Sequence, residues 1–162
     1  MNQTSNKQTE GERAERLELY KLMVEMADRV SQRRQAANSF YLSINTLLVG
    51  GAAYLGAEES NFKNIILISL VGFLISRYWI ASIESYKTLN TAKFNVINSM
   101  EQHFAVRPFT EEWAELDPDK DGKRHKPFHK TEKAVPKIFI LLYAFQALRT
   151  VPWKQVISLL HC

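Results

Sequence analysis

The sequence has few of the residues and motifs that catalysis or covalent cross-linking needs. Its single cysteine is the last residue, Cys162, so an internal disulfide cannot form and the fold does not depend on oxidation. A prenylation signal would need the cysteine four positions from the end. The chain has no glycine-rich phosphate loop, no Gly-x-Ser-x-Gly and no His-Glu-x-x-His. We therefore predict no enzymatic activity, no catalytic residues and no cofactor.

A metal site is not expected either. The segment Asp117–Gly122 imitates the start of a calcium-binding loop, but Phe128 stands at the twelfth position, where that loop needs a bidentate glutamate. His125 and His129 have one-turn spacing, but no acidic or cysteine partner follows at a ligand spacing. We interpret this region as a solvated turn followed by a basic run.

The distribution of charge argues against two further classes. The first 35 residues are polar and charged, without the short apolar core of a cleavable signal peptide. The net charge is +4, but the basic residues are spread along the chain rather than gathered on one face with stacking aromatics. We therefore expect no nucleic-acid partner, and insertion into a membrane would be directed by the chain's own apolar segments.

Two apolar runs dominate what the sequence does contain. The first, from Ala36 to Ala57, has 22 residues without Asp, Glu, Lys or Arg. At about 1.5 Å per residue a helix of that length reaches about 33 Å, enough for a hydrocarbon core of about 30 Å. The second runs from Asn64 to Ile83 with one charge, Arg77. A short polar turn joins them, which predicts a transmembrane helical hairpin over residues 36–83.

The first run contains polar and small residues and is not uniformly apolar. Small residues allow close helix approach in lipid, and polar side chains seek partners across the interface. Asn45 is expected to face protein or water, through an interhelical hydrogen bond within the hairpin or along a polar pathway. Arg77 is expected to snorkel to the headgroups, with a buried functional cation as the alternative. Candidate oligomer or intramembrane polar contacts are Asn38, Ser43, Asn45, Thr46, Gly50, Gly51 and Arg77.

The segments beside the hairpin predict long helical extensions. We expect a disordered N-terminus over residues 1–11 and an amphipathic helix over residues 12–35. Its apolar stripe packs either on its own domain or in a bundle of copies. Residues 84–134 are predicted to form a helical domain, with α-helix continuing to Pro108 and Thr110 capping the next helix. The stripe consists of Leu19, Met23, Met26 and Val30.

The last apolar block predicts a third, shorter membrane-associated helix in residues 135–162. Counted from Ala134 to Thr150, it makes a short crossing with Lys137 and Arg149 near its ends. A helix in the interface or packed on the hairpin is the alternative. Basic residues flank both runs on the side away from the hairpin turn, so the positive-inside rule predicts a cytoplasmic N-terminus and central domain. The fold class is thus an all-α membrane protein.

Several motifs carry a resemblance to known families. The stretches Tyr41–Thr46, Trp79–Ile83, Ser85–Phe94, Pro108–Trp113 and His129–Pro136 resemble the RipA family of octameric bacterial membrane proteins over about Tyr20 to Phe145. That resemblance implies a bacterial inner-membrane homo-oligomer, with eightfold assembly as one option. The order of a basic helix, Arg33–Leu48 and a second span is similar to SLATT-type two-span effectors. That likeness implies a pore gated by a nucleotide signal or a companion sensor protein.

Two functions follow as hypotheses. The first is a homo-oligomeric assembly or scaffold protein of the bacterial inner (cytoplasmic) membrane, whose partners are itself and the lipid bilayer. The second is a pore-forming or membrane-disrupting effector of a bacterial defence system. In the first, Asn45 and the Gly50–Gly51 pair hold helices together; in the second, they line or gate a pathway.

Overall fold

The part of the chain that the structure describes is built from four helices. The computed structural model describes residues 2–55, 62–116 and 131–150. Within those ranges it has no strand, and its helices are α1 (Asn2–Leu55), α2 (Phe62–Glu101), α3 (Pro108–Leu116) and α4 (Ala134–Thr150). The all-α prediction is thereby confirmed for the described chain. The hairpin turn after Ala57, the calcium-like segment, His125, His129 and the tail from residue 151 lie outside the described residues.

The start of α1 and the end of α2 differ from the sequence prediction. Helix α1 already begins at Asn2, inside the segment for which low hydrophobicity predicts disorder; no proline interrupts it. Helix α2 ends at Glu101, seven residues before the predicted stop at Pro108. The reason is that the Glu101 carboxylate accepts hydrogen bonds from the backbone of Phe109 and Thr110, which turns the chain back.

Helix α3 begins at Pro108, so Thr110 lies in its first turn and is not the N-cap. Proline suits this position because a first-turn N–H has no helical partner. The N–H of Glu111 donates to the carbonyl of Arg107 at 2.9 Å, which makes Arg107 the residue that precedes the first helical turn. The predicted helix in this region therefore exists, but it starts three residues earlier, at Pro108 rather than at Glu111 after a Thr110 cap.

One helix is long and apolar enough to cross a membrane, judged by length and composition over the described residues. It is α2, over Lys63–Glu101. Helix α1 does not qualify, because its uncharged run contains several amides, hydroxyls and glycines, among them Asn38, Asn45 and Gly50. Helix α4 has only 17 residues. Within the described residues one candidate span is therefore found, and the transmembrane hairpin of two spans stays a prediction.

The chain divides into two compact units. The first comprises Met1–Gln35 and Ser85–Pro127, and its buried residues include Ala27, Val30, Ile97 and Glu101. The second comprises Ala36–Glu84 and Phe128–Cys162. Its buried residues include Asn45, Ala52, Ile65, Ser69, Ser76, Trp79, Ile83 and Tyr143.

A heptad-like seam explains why α2 is buried along one side only. In the second unit its buried positions are spaced four, three, four, three and four residues apart, the pattern that keeps one stripe facing neighbouring helices. These positions are Ile65, Ser69, Gly72, Ser76, Trp79 and Ile83. The stripe mixes small, polar and aromatic residues, so packing in this unit depends on shape and hydrogen bonds as well as on apolar area.

Candidate functional site

The second unit contains a fully buried asparagine side chain that bonds to residues of two other helices. We call Asn45, Ser76 and Tyr143 the Asn45 cluster. Asn45 on α1 has no solvent exposure. Its Oδ1 accepts a hydrogen bond from Ser76 Oγ of α2 at 2.9 Å and one from the Tyr143 hydroxyl of α4 at 3.1 Å. Its Nδ2 donates to the carbonyl of Tyr41 at 2.8 Å. One side chain thus joins three helices with its own polar atoms satisfied.

Tyr143 reaches this cluster because α2 has a glycine opposite it. A Cβ placed on Gly72 would lie 2.2 Å from Cζ of Tyr143 and 2.5 Å from both Cε atoms, which real contacts do not allow. The ring therefore occupies the space that a side chain at position 72 would fill. Its hydroxyl also donates to the backbone carbonyl of Asn45 at 3.2 Å. Gly72 and Tyr143 together dock α4 on the other two helices.

A second polar group, the Trp79 cluster, consists of Asn38, Trp79 and Glu132. The indole Nε1 of Trp79 donates to Asn38 Oδ1 at 2.8 Å, and Asn38 Nδ2 donates to Glu132 Oε1 at 3.4 Å. The Trp79 ring stacks on Tyr41 with 5.8 Å between centroids and 12° between planes. An indole with an apolar ring and a hydrogen-bonded N–H is typical of the membrane–water boundary.

An ion pair lies in the same unit. Lys133 Nζ donates to Glu84 Oε1, with Lys133 mostly buried and Glu84 largely exposed. Exposed ion pairs contribute little free energy, about 0–1 kcal/mol. The pair therefore contributes little to stability. Its effect is to hold the start of α4 beside the point where the apolar part of α2 ends.

The predicted polar and small contact residues separate into two groups. Asn38 and Asn45 bond inside the protomer, as described above. Ser43, Thr46, Gly50, Gly51 and Arg77 are exposed. The hydroxyls of Ser43 and Thr46 each donate to the carbonyl four residues earlier at 2.9 Å, so their donors are satisfied within α1. For Asn45, the structure contains the interhelical hydrogen bond, one of the two alternatives.

In the first unit, Glu101 is held by several hydrogen bonds. It is fully buried and accepts four hydrogen bonds. These come from the Phe109 N–H at 2.9 Å, the Thr110 N–H at 3.0 Å, the Thr110 hydroxyl at 2.7 Å and the Tyr20 hydroxyl at 3.0 Å. A carboxylate at the start of α3 also favours the positive end of the helix dipole.

The pKa values of Glu101 and Tyr20 follow from these contacts. Burial by itself would raise the pKa of Glu101, but the hydrogen bonds from Phe109, Thr110 and Tyr20 outweigh burial and lower it below 4.5. The pKa of Tyr20 is raised to about 12 by burial, by its hydrogen bond to Glu101 and by the negative charge of that carboxylate. Both groups therefore keep their hydrogen-bonded forms at neutral pH.

The predicted stripe on the N-terminal helix is rotated relative to the buried side. Val30 is buried and Met23 is half-buried, whereas Leu19 is 50% exposed and Met26 40% exposed. The side of α1 that is buried in this unit consists of Tyr20, Met23, Ala27 and Val30. The shift occurs because Tyr20 turns toward Glu101 and packs on Phe104 at 5.1 Å between ring centroids.

The chemistry available at these clusters is hydrogen bonding and packing. Over residues 2–55, 62–116 and 131–150, no group of three or more His, Cys, Asp or Glu side chains could hold a metal ion. The sequence prediction missed Gly72, Tyr143, Ser76 and Glu101. Gly72 and Ser76 gave a signal as small residues in an apolar helix, but Glu101 gave none.

The comparison with protein families decides the relationship. The sequence pattern of the octameric membrane protein family (8xMP) matches residues 17–152. The chain belongs to this family. The 8xMP match includes α2, α3, α4 and most of α1, and therefore every cluster described above. The family name identifies a membrane protein and implies self-association. Searches of curated proteins and of solved structures give no significant match.

Proposed function

We propose that this chain is a homo-oligomeric assembly protein of the bacterial inner membrane, built from eight copies and without catalytic activity of its own. The 8xMP membership supports both the membrane and the self-association. The observation that favours an assembly protein over a transport protein is the Asn45 cluster. Its polar atoms are used for joining helices of one protomer, whereas a transport site would present them to a passing ion or substrate.

In the proposed arrangement the apolar parts of α1 and α2 cross the membrane as a hairpin, and α4 enters the membrane beside them. The outward sides of α2 and α4 carry large apolar residues, such as Leu70, Phe73, Leu141 and Phe145, which suit contact with lipid. The Trp79 cluster then lies at the cytoplasmic boundary. Arg77 lies two residues, about half a turn, deeper along α2 and is exposed, close enough for its guanidinium to snorkel to lipid phosphates.

The first unit would lie in the cytoplasm. Its part of α1 carries closely spaced acidic and basic residues, including the ion pairs of Lys21 with Glu18 and Arg29 with Glu25. Such a charge density does not enter hydrocarbon. Arg33, Arg34, Lys87 and Lys93 flank the apolar segments on this side, which by the positive-inside rule supports a cytoplasmic location.

A second candidate, a pore-forming effector, is favoured by one observation. Opposite the buried side of α1, the exposed positions Ser39, Ser43, Thr46 and Gly50 form a polar and small stripe at spacings of four, three and four. If eight copies turned this stripe toward a common axis, it would line a lumen. Opening would then depend on a signal or on a companion sensor protein. The resemblance to the RipA family supports the assembly proposal, and the resemblance to SLATT-type effectors supports the pore proposal.

Two measurements on the full chain test the proposals. Native mass measurement in mild detergent gives the copy number, and ion flux into liposomes gives the conductance. The assembly proposal expects an octamer with no flux, and Asn45→Leu should break the octamer. The pore proposal expects flux that is lost when Thr46→Leu makes the stripe apolar while the octamer persists. A monomer would contradict both.

A further inference from the structure

Helix α3 has the features of a docking element rather than a core element. None of its nine residues is buried, and Trp113 is 61% and Leu116 39% exposed. These two apolar residues are three positions apart and share a side of the helix. Beside them lie the exposed carboxylates of Glu112 and Glu115. Helix α3 therefore presents an apolar pair bordered by negative charge.

The position of α3 is fixed by the contacts of its first turn. The Glu101 carboxylate accepts the N–H groups of Phe109 and Thr110, and the Phe109 ring packs edge-on against Phe94 at 5.5 Å between centroids. The first turn is thus anchored, while the outer side of the helix remains exposed. A short helix held rigidly in this way is suited to recognising a matching surface.

A surface of complementary character lies on α1 of the same unit. Leu19, Leu22 and Met26 are each 40–50% exposed and are spaced three and four residues apart, so they form one apolar stripe. The same stripe continues with Arg29 and Arg33, both exposed. An apolar patch followed by two cations matches an apolar pair bordered by two carboxylates, both in hydrophobic character and in the sign of charge.

We propose that α3 of one protomer docks on the Leu19–Arg33 stripe of the next protomer in the oligomer. Trp113 and Leu116 would cover Leu22 and Met26, and Glu112 and Glu115 would face Arg29 and Arg33. The two surfaces differ, so the contact is head-to-tail, and head-to-tail contacts repeated around the axis of the proposed octamer give a closed ring. This inference rests on the proposed homo-oligomer and names the surfaces that join its copies outside the membrane.

Disulfide cross-linking of the full chain tests the contact. In a Cys162→Ser background, Leu22→Cys and Leu116→Cys are prepared as separate single-cysteine chains. Mixing them during assembly should give cross-linked dimers on oxidation, whereas each variant alone should give none. A chain carrying both cysteines should give a ladder that extends toward the full oligomer. Dimers from Leu22→Cys alone would overturn the head-to-tail arrangement.

Charge reversal provides a second readout that does not depend on cysteine geometry. Arg29→Glu with Arg33→Glu should shift the native mass distribution to smaller species, and adding Glu112→Lys with Glu115→Lys should restore the larger species. The matched control, Arg13→Glu with Lys21→Glu, reverses two exposed charges on other sides of α1 and should leave the distribution unchanged. Helix content by circular dichroism checks that each variant folds.

The outcomes separate this inference from the proposed function. A wild-type octamer that gives no Leu22–Leu116 cross-link and is insensitive to the Arg29 and Arg33 reversals would overturn the docking contact and leave the oligomer standing. A wild-type monomer would overturn both. A cross-link together with rescue by the opposite reversals is the result that we expect.

Discussion

Replacing Gly72 by alanine should release α4 from the other helices of its unit. The added Cβ would stand 2.2 Å from Cζ of Tyr143, so the ring must move. Overpacking in a filled core costs about 1–3 kcal/mol. Displacing the Tyr143 hydroxyl from the Oδ1 and carbonyl of Asn45 costs about another 0.5–1.5 kcal/mol. The higher helix propensity of alanine returns about 1 kcal/mol.

The expected net effect is therefore a loss of about 1–3 kcal/mol in the free energy of unfolding. Denaturant or thermal unfolding in mild detergent measures it. The matched control is Gly11→Ala, because Gly11 lies in α1 and a Cβ there meets no atom within 4 Å. That variant should be neutral, or more stable by up to about 1 kcal/mol.

A double variant makes the reasoning refutable. Tyr143→Ala removes the ring that the new Cβ would strike, so Gly72→Ala should become neutral or stabilising in that background. The difference between the two backgrounds is the coupling energy of the pair. If Gly72→Ala destabilises equally with and without the ring, or has no effect in the wild-type chain, the packing of Tyr143 against Gly72 is not what docks α4.

Four further predictions concern the hydrogen-bonded side chains. Glu101→Gln should destabilise the first unit by about 1–3 kcal/mol, because it removes a charged acceptor of four hydrogen bonds, and amide exchange at Phe109 and Thr110 should accelerate. The pKa of Glu101 is lowered on folding, so its stabilisation is present above pH 4.5 and is lost as the pH falls through the folded-state value; the Gln variant should lack this acid dependence. The pKa of Tyr20 is raised from 10.0 to about 12 on folding, so its contribution to the stability of the fold is complete below pH 10 and is lost as the pH rises toward about 12. Tyrosinate absorbance of the wild-type chain, compared with that of Tyr20→Phe, should show this late ionisation. Asn45→Leu should cost about 1–3 kcal/mol in unfolding measurements, because the Ser76 hydroxyl loses its acceptor, and an unchanged stability would contradict the bonding role.

Local patterns in the sequence were sufficient for the helices themselves. The long uncharged runs, the absence of proline and the apolar block between Lys133 and Thr150 predict helices because these signals act within a few residues. The predicted crossing from Ala134 to Thr150 has the same bounds as α4. Its insertion in the membrane is a proposal, since length and composition alone do not determine it.

Long-range contacts could not be predicted in the same way. Tyr20 bonds with Glu101, 81 positions away, and this contact turns Tyr20 toward the buried side of α1. The amphipathic pattern allowed a stripe through Leu19 and Met26 equally well, because the leucines and methionines on adjacent sides of one helix give two overlapping stripes. A single hydrogen-bonding group decided between them.

The polar residues of the first apolar run illustrate the same limit. Their presence in the run predicts that Asn45 has a partner, since an unsatisfied amide is costly in hydrocarbon. The identity of that partner depends on how three helices are arranged, and Tyr143 is 98 positions away. The sequence allows Gly72 to be recognised as a position where helices approach closely, but it does not show that the Tyr143 ring of α4 packs against it.

The copy number of the full chain tests the central claim most directly. Native mass measurement in mild detergent should give eight copies of the 18.7 kDa chain, about 150 kDa, as the dominant species. Membrane fractionation of the same preparation checks that the protein was extracted from the bilayer. A dominant species at 18.7 kDa under conditions in which the chain is folded would contradict the proposed assembly.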